Sequence, residues 1–255
     1  MGRRSFYLDR SEPILSFVGF RFMKHWFYLL LLICVATACN RSTSSVAPPV
    51  IVTPTTIEHT WLALGDSYTI GQSVADTNRY PTQTTELLRK NGVTIRTPDY
   101  IATTGWTTQS LQNAIQTINP STHTIVSLLI GVNDQFQFND TAGYRLRFTQ
   151  LLLKAIELAN NKPSHVFVLS IPDYSVTPFA ASFDRGRISR EIDWFNFINR
   201  SVSLQYKCPY LDITASTREA LTNRSLLAAD SLHLSGIEYR KWAERLTPMI
   251  LPLLK

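Results

Sequence analysis

The chain has 255 residues, of which 44% are hydrophobic and 17% are charged. Its mean hydropathy of -0.03 is typical of a globular protein and excludes a disordered or multi-span membrane protein. Three cysteines exclude a disulfide scaffold and a cysteine-rich zinc module. The formal net charge is +6, but half of that excess lies in residues 1–38, so nucleic acid is not an expected partner.

The N-terminal segment has the pattern of an export signal. A short basic start at Met23 and Lys24 precedes an apolar run at residues 26–35. This run is shorter than the roughly 20 residues that cross a bilayer, but it fits the apolar region of a signal peptide. We therefore expect residues 1–38 to be a signal peptide. The sequence leaves open whether translation begins at Met1 or at Met23.

A cysteine follows the apolar run. The segment Ala36-Thr37-Ala38-Cys39 resembles a bacterial lipobox, in which the cysteine is acylated and becomes the mature N-terminus. A plain secretory A-x-A site would be cut at the same bond. The lipobox is favoured because an unpaired cysteine directly after the cut has no other evident purpose. We expect a lipidated Cys39, a flexible Ser/Thr/Pro-rich tether up to residue 56, and a membrane-anchored lipoprotein on the periplasmic or surface side of the bacterial cell envelope.

From residue 57 to residue 255, short apolar runs alternate with amphipathic stretches. Runs of strand length lie at residues 60–64, 94–101, 124–130, 166–171 and 210–213. Apolar residues recur with helical spacing between these runs. A last helix is predicted from Ile237 to about Leu246, because Pro248 is expected to limit it. The alternation predicts a single α/β domain in which a parallel sheet of about five strands lies between two layers of helices.

A serine follows the first predicted strand. In parallel α/β folds, ligands bind beyond the carboxyl ends of the strands. Ser67 stands there in a Gly-Asp-Ser turn before a helix, so its hydroxyl would be exposed and suited to act as a nucleophile. The same tripeptide is also an ordinary turn and helix cap. A serine nucleophile needs a base, so the choice between these interpretations depends on the histidines.

Elimination among the five histidines leaves one candidate base. One histidine lies in the signal segment, and three directly precede strands, at the opposite edge of the sheet: His59, His123 and His165. His233 remains, ahead of the final helix. Asp230, three residues earlier, could accept the imidazole N–H and orient the ring. The candidate triad is therefore Ser67, His233 and Asp230.

Two further strand ends carry groups that could stabilise an oxyanion. Gly105 follows the second strand, and a glycine lets backbone N–H approach a ligand closely. Asn133 follows the third strand with a side-chain amide. Both segments also contain residue pairs that are common in ordinary turns, and Asp134 could simply cap the next helix.

Together these blocks resemble the SGNH (GDSL-type) hydrolase family over about residues 61–246. The matching blocks occur in the family's order: Gly65-Asp66-Ser67, Gly105, Gly131-x-Asn133-Asp134 and Asp230-x-x-His233. Tyr68 stands where the family name has Leu. The resemblance implies a flavodoxin-like three-layer fold and a serine esterase that needs no metal or organic cofactor.

The resemblance also implies the role of each residue. Ser67 would attack an acyl ester, His233 would transfer the proton, and Asp230 would orient His233. The backbone N–H groups of Ser67 and Gly105 and the side chain of Asn133 would form the oxyanion hole. Three other acids near the strand ends are expected to make structural hydrogen bonds: Asp66, Asp134 and Asp173.

Aromatic residues on the same loops leave the substrate open. Trp106, Phe136 and Phe179 could wall an acyl pocket, which favours short or medium acyl esters. They could equally stack on a sugar ring, in which case the chain would be a carbohydrate O-deacetylase acting on an acetylated glycan. The third alternative is a non-catalytic binding lipoprotein on the same fold. A site that had lost its activity would, however, be expected to lack at least one of the five catalytic residues. We expect a monomer.

Overall fold

The computed structural model describes residues 58–255. The predicted signal peptide, Cys39 and the tether lie outside the described residues. Within residues 58–255, five strands form one parallel sheet. Their bounds are β1 (Trp61–Gly65), β2 (Asp99–Ala102), β3 (Ile125–Leu129), β4 (Val166–Leu169) and β5 (Tyr210–Leu211). The predicted sheet of about five parallel strands is confirmed.

The strands lie side by side in the order β2-β1-β3-β4-β5. Every neighbouring pair is parallel, with Trp61 beside Ile125 at the start of the central pair. This is the flavodoxin-like strand order, in which the chain reverses direction across the sheet between β1 and β3. A crevice therefore opens beyond the carboxyl ends of these two strands, and the segments that follow them can face each other there.

Helices cover both faces of the sheet. The bounds of the α-helices in the described residues are α1 (Ser67–Ile70), α2 (Tyr80–Lys90), α3 (Thr108–Ile118), α4 (Val132–Gln137), α5 (Thr141–Leu158), α6 (Arg185–Gln205), α7 (Thr214–Arg218) and α8 (Gly236–Ile250). Helix α2 packs against α8, while α5 packs against α3 and α6. Right-handed crossovers place the first pair on one face and the other three helices on the opposite face. None of the helices in this part of the chain is both long and apolar enough to cross a bilayer.

The core lies between these layers. All residues of β1 and β3 are buried, as expected for central strands covered on both sides. On one face, the rings of Tyr80 and Trp242 meet with centroids 5.7 Å apart. On the other face, Tyr144 lies between Phe148 and Phe195. This packing holds the sheet rigidly beneath the loops at its carboxyl edge.

Strand β2 is shorter than the sequence predicts. The apolar pattern predicts a strand at residues 94–101, but the observed strand is Asp99–Ala102. Pro98 lacks the N–H that a ladder needs, and it interrupts the run. Ile95, before the proline, forms only an isolated bridge to His59.

Helix α8 is longer than the sequence predicts. Pro248 does not end it, because the helix continues to Ile250 with the proline inside. Pro248 lies on the exposed side of the last turn, where the carbonyl that it leaves unbonded can reach water. Ile250 is fully buried, and its burial favours continuation of the helix.

Candidate active site

Ser67 lies where β1 ends and α1 begins. Oδ1 of Asp66 accepts a hydrogen bond from the N–H of Tyr68 at 3.0 Å, which caps α1 and fixes the turn. Ser67 is only 4% exposed, yet it lines a cavity at the carboxyl edge of the sheet. The turn therefore places Ser67 at the wall of a small, partly open cavity.

His233 and Asp230 lie together in the loop before α8. Nδ1 of the His233 ring is 2.7 Å from Oδ2 of Asp230. Oδ1 of the same carboxylate accepts the backbone N–H groups of Leu232 and His233 at 3.0 and 2.9 Å. An ionised carboxylate can only accept, so Nδ1 carries the proton and Nε2 is left with a lone pair. This is the tautomer that a general base requires.

The Asp230 carboxylate has a further partner that sequence reasoning missed. The hydroxyl of Ser73 donates to Oδ2 of Asp230 at 2.6 Å. Burial acts to raise the pKa of Asp230, but the hydrogen bonds from Ser73, His233 and the backbone outweigh it and hold the pKa well below its ordinary value. Asp230 is therefore a carboxylate throughout the range in which His233 would work.

Ser67 and His233 line the same cavity, whose volume is about 100 Å³. Among the hydrogen bonds of the described residues, none joins the Ser67 hydroxyl to the His233 ring. Such contacts are often long before substrate binds and tighten in the complex. The ring of Tyr68 packs against the His233 ring with centroids 5.3 Å apart, so the residue that replaces the leucine of the family name supports the imidazole.

The other described histidines are bonded away from the cavity. The His59 ring bonds to the carbonyl of Leu254, the His165 ring bonds to the carbonyl of Thr124, and the His123 ring bonds to Asp99. These contacts lie at the amino edge of the sheet, as the sequence predicts. His233 is thus the histidine of residues 58–255 that the structure brings to Ser67.

Asn133 lines the cavity with Ser67 and His233, whereas Gly105 is not among the residues that line it. Nδ2 of Asn133 donates one hydrogen bond to the carbonyl of Trp106, the residue after Gly105, at 3.0 Å. Gln137, also on α4, donates to the carbonyl of Gly105 at 3.3 Å. The amide of Asn133 carries a second N–H, which remains for another acceptor.

Two glycines shape this part of the site. Gly131 precedes α4 with φ +127°, and a Cβ there would collide with the ring of Tyr144. Gly105 has φ +83° and open space where its Cβ would be. Both positions lie in the region of φ that favours glycine.

Only two of the three predicted aromatic residues line the cavity. Phe136 and Phe179 line the cavity. Trp106 is not among the residues that line it, because its side chain packs in part against the core. The wall also includes Tyr68, Val132, Tyr174 and Leu232.

Two nearby acids make the structural hydrogen bonds that the sequence predicts. Asp134 accepts from the backbone N–H and the hydroxyl of Thr108, at 2.8 and 2.5 Å. Asp173 accepts from the N–H of Ser175 at 2.9 Å and from Arg218 at 2.9 Å. These bonds tie the loops after β2 and β4 to the body of the domain. Among residues 58–255, no group of three or more His, Cys, Asp or Glu side chains is arranged to hold a metal.

Asp66 is a buried acid beside the candidate nucleophile. It is fully buried, and its Oδ2 has no hydrogen-bond partner in the described part of the chain. Burial, with a smaller contribution from the negative charge of Asp134, raises the pKa of Asp66 to about 8, although the hydrogen bond from the N–H of Tyr68 acts to lower it. Asp66 is therefore mostly protonated at neutral pH.

The raised pKa of Asp66 predicts a pH-dependent stability. Between the ordinary value of 3.8 and about 8, the folded chain holds a proton that the unfolded chain has lost. Unfolding then releases a proton, so stability falls as pH rises through this window, by at most about 1.4 kcal/mol per pH unit. Denaturant unfolding of wild type and Asp66→Asn should show this slope in the difference between their free energies of unfolding. A difference that stays constant from pH 4 to pH 8 would contradict the assignment, since asparagine keeps the shape and loses the titration.

Known proteins share this architecture. A model of the GDSL-like Lipase/Acylhydrolase family matches residues 63–241. No curated protein matches the chain in sequence. The solved structure of TesA has a TM-score of 0.60 and 18% identity, covering 77% of this chain and 100% of that chain.

Two further solved structures are similar. A lipase/acylhydrolase from Enterococcus faecalis has a TM-score of 0.58 and 18% identity, covering 77% of this chain and 97% of that chain. An acetylxylan esterase from Geobacillus stearothermophilus has a TM-score of 0.55 and 19% identity, covering 77% of this chain and 94% of that chain. At such identities the likeness shows the fold, whereas the family model spans well over half of the sequence. The chain therefore belongs to the GDSL-like lipase/acylhydrolase family of hydrolases.

Proposed function

We propose that the chain is a serine esterase that hydrolyses carboxylic acyl esters through Ser67, His233 and Asp230. The observation that carries the proposal is the contact of 2.7 Å between Asp230 and Nδ1 of His233, on a ring that lines the same cavity as Ser67. This arrangement leaves Nε2 of His233 free to accept the serine proton.

The reaction runs in two steps. Ser67 Oγ attacks the acyl carbonyl as His233 takes the hydroxyl proton, and the bond to the alcohol breaks as His233 returns that proton to the leaving oxygen. Water then attacks the acyl-serine, with His233 again as base, and the acid leaves. Asp230 stabilises the imidazolium that forms in each step. The N–H groups of Ser67 and Gly105 and the amide of Asn133 bind the oxyanion.

The test of this function is hydrolysis of p-nitrophenyl esters by the purified protein, with wild type and Ser67→Ala assayed side by side. Hydrolysis that requires Ser67 is the expected result. If neither protein hydrolyses any ester, or if both do so equally, the esterase assignment is wrong.

Removing the amide of Asn133 should lower kcat by about 10²–10³-fold, because one oxyanion donor is lost. Asn133→Ala is measured against Asn113→Ala, which removes an exposed asparagine on α3. Both variants should keep the wild-type melting temperature to within a few degrees. A kcat for Asn133→Ala within threefold of wild type would exclude Asn133 from the oxyanion hole.

Acetylated glycans are the second candidate substrates. One of the similar structures is an acetylxylan esterase, and exposed aromatic rings at the cavity can stack on sugars as well as on hydrocarbon. Acetylated xylan therefore belongs in the same assay, where release of acetate that depends on Ser67 would favour the O-deacetylase.

We also propose that the protein is exported to the cell envelope and anchored by a lipid on Cys39. The signal-like segment and the lipobox-like Ala36-Thr37-Ala38-Cys39 support this location. Wild type should fractionate with membranes, and Cys39→Ser should not. Cys34→Ser, within the apolar run, is the matched control and should behave as wild type. A mature N-terminus whose mass shows no acyl chain would contradict the anchor.

A further inference from the structure

An apolar shelf made of three phenylalanines continues from the mouth of the cavity. Phe136 on α4 and Phe179 in the 3-10 helix Pro178–Ser182 line the cavity, and Phe183 follows in the same loop. The three residues are 49%, 41% and 43% exposed. Large apolar side chains that cluster while half exposed typically mark a binding surface.

The three rings touch one another. The rings of Phe179 and Phe183 stack with centroids 5.6 Å apart. Phe136 lies 6.2 Å from Phe179 and 6.3 Å from Phe183. The buried ring of Tyr174 supports Phe136 and Phe179 from beneath, at 6.1 and 6.3 Å. The shelf is therefore one continuous aromatic surface, and only part of it belongs to the cavity wall.

Polar contacts hold the loop that carries the shelf. Arg185 donates to the carbonyl of Thr177 at 3.0 Å, and the N–H of Phe183 donates to the carbonyl of Ala180 at 3.1 Å. Asp173, at the start of the loop, is bonded to Arg218. These contacts fix the rings in an exposed position, so a ligand meets a preorganised surface and loses less entropy on binding.

The cavity alone is too small to enclose a long hydrocarbon chain. Its volume is about 100 Å³, whereas an engineered cavity of about 150 Å³ binds benzene. By that measure the cavity holds about four carbon atoms. A longer chain would extend beyond the cavity, and Phe183 lies next to Phe179, which is part of the cavity wall.

We infer that the substrate is an ester with a hydrocarbon chain of medium length, whose far end lies on the shelf formed by Phe136, Phe179 and Phe183. This inference rests on the proposed esterase function. It assigns to Phe183 the binding of the part of the chain that the cavity does not enclose.

The test compares two series of esters at concentrations where all are monomeric. One series has acyl chains from acetate to octanoate on p-nitrophenol, and the other has acetates of alcohols from ethanol to octanol. We expect kcat/KM of wild type to rise with chain length in one of the two, which identifies the side of the ester on the shelf. Phe183→Ala should reduce the ratio of kcat/KM for the longest to the shortest ester by roughly tenfold, mainly through KM. Phe138→Ala is the matched control, since Phe138 is 63% exposed and outside the cavity wall.

The outcomes separate the shelf from the esterase function. A ratio that is unchanged in Phe183→Ala, a flat series on both sides, or a preference for acetylated xylan would overturn the shelf while the esterase stands. If no ester is hydrolysed, binding of octanamide and acetamide is measured by calorimetry. Tighter binding of octanamide that Phe183→Ala weakens would then support the shelf and leave only the esterase wrong. Equal binding of octanamide and acetamide would overturn both the shelf and the esterase function.

Discussion

Replacing Ser67 with alanine is expected to lower kcat by about 10⁶-fold, since removal of the nucleophile of a serine hydrolase leaves only binding and oxyanion stabilisation. The side chain lies at the end of β1 and lines the cavity with His233. Because alanine is smaller and lacks only the hydroxyl, the fold should be unaffected. The measurement is single-substrate kinetics on the best ester found for wild type.

The control for this variant is Ser182→Ala, which removes an exposed hydroxyl from the loop after β4. It should retain wild-type kcat. A Ser67→Ala protein that keeps more than one percent of wild-type activity, once contamination is excluded by an independent preparation, would rule out the serine mechanism.

Replacing Asp230 with asparagine is expected to lower kcat by about 10⁴-fold. The asparagine can still accept the backbone N–H groups of Leu232 and His233 through its oxygen. Its amide, however, would then face Nδ1 of His233 and donate to it, which moves the ring proton to Nε2. A ring protonated at Nε2 has no lone pair for the proton of Ser67.

The matched control is Asp99→Asn. Asp99 also bonds a histidine ring, Nε2 of His123 at 3.0 Å, but at the amino edge of the sheet. The two substitutions remove the same kind of contact, so only a catalytic role of Asp230 explains a large difference between them. Equal and small losses in both variants would show that the bond between Asp230 and His233 is structural.

The layers of the fold are predictable from the sequence because its buried strands are central. Strands β1 and β3 are buried along their whole length and apolar except at Ser127, so their pattern differs from the helical periods on either side. The observed strands and helices differ from the predicted ones at two prolines. Pro98 shortens the edge strand β2, whereas exposed Pro248 is tolerated in α8 because burial of Ile250 outweighs one lost hydrogen bond.

The positions of the candidate triad follow from the rule that chemistry lies at the carboxyl ends of parallel strands. The supporting contacts do not follow from it. Ser73 bonds to Asp230 across 157 residues of sequence, in a backbone conformation with φ +66° that no local pattern indicates. The position of Phe183 likewise depends on how Arg185 holds its own loop. Such contacts are set by tertiary geometry, and the sequence shows only that a serine and a phenylalanine are present.

The most direct test of the central claim is reaction with a fluorophosphonate, which forms a covalent adduct with the activated serine of serine hydrolases. Intact mass and peptide mapping of the labelled protein should show one adduct per chain, on Ser67. Labelling should be absent in Ser67→Ala and much slower in Asp230→Asn, because the nucleophile then lacks its base. A wild-type protein that stays unlabelled, or that carries the adduct on another residue, would contradict the proposed active site.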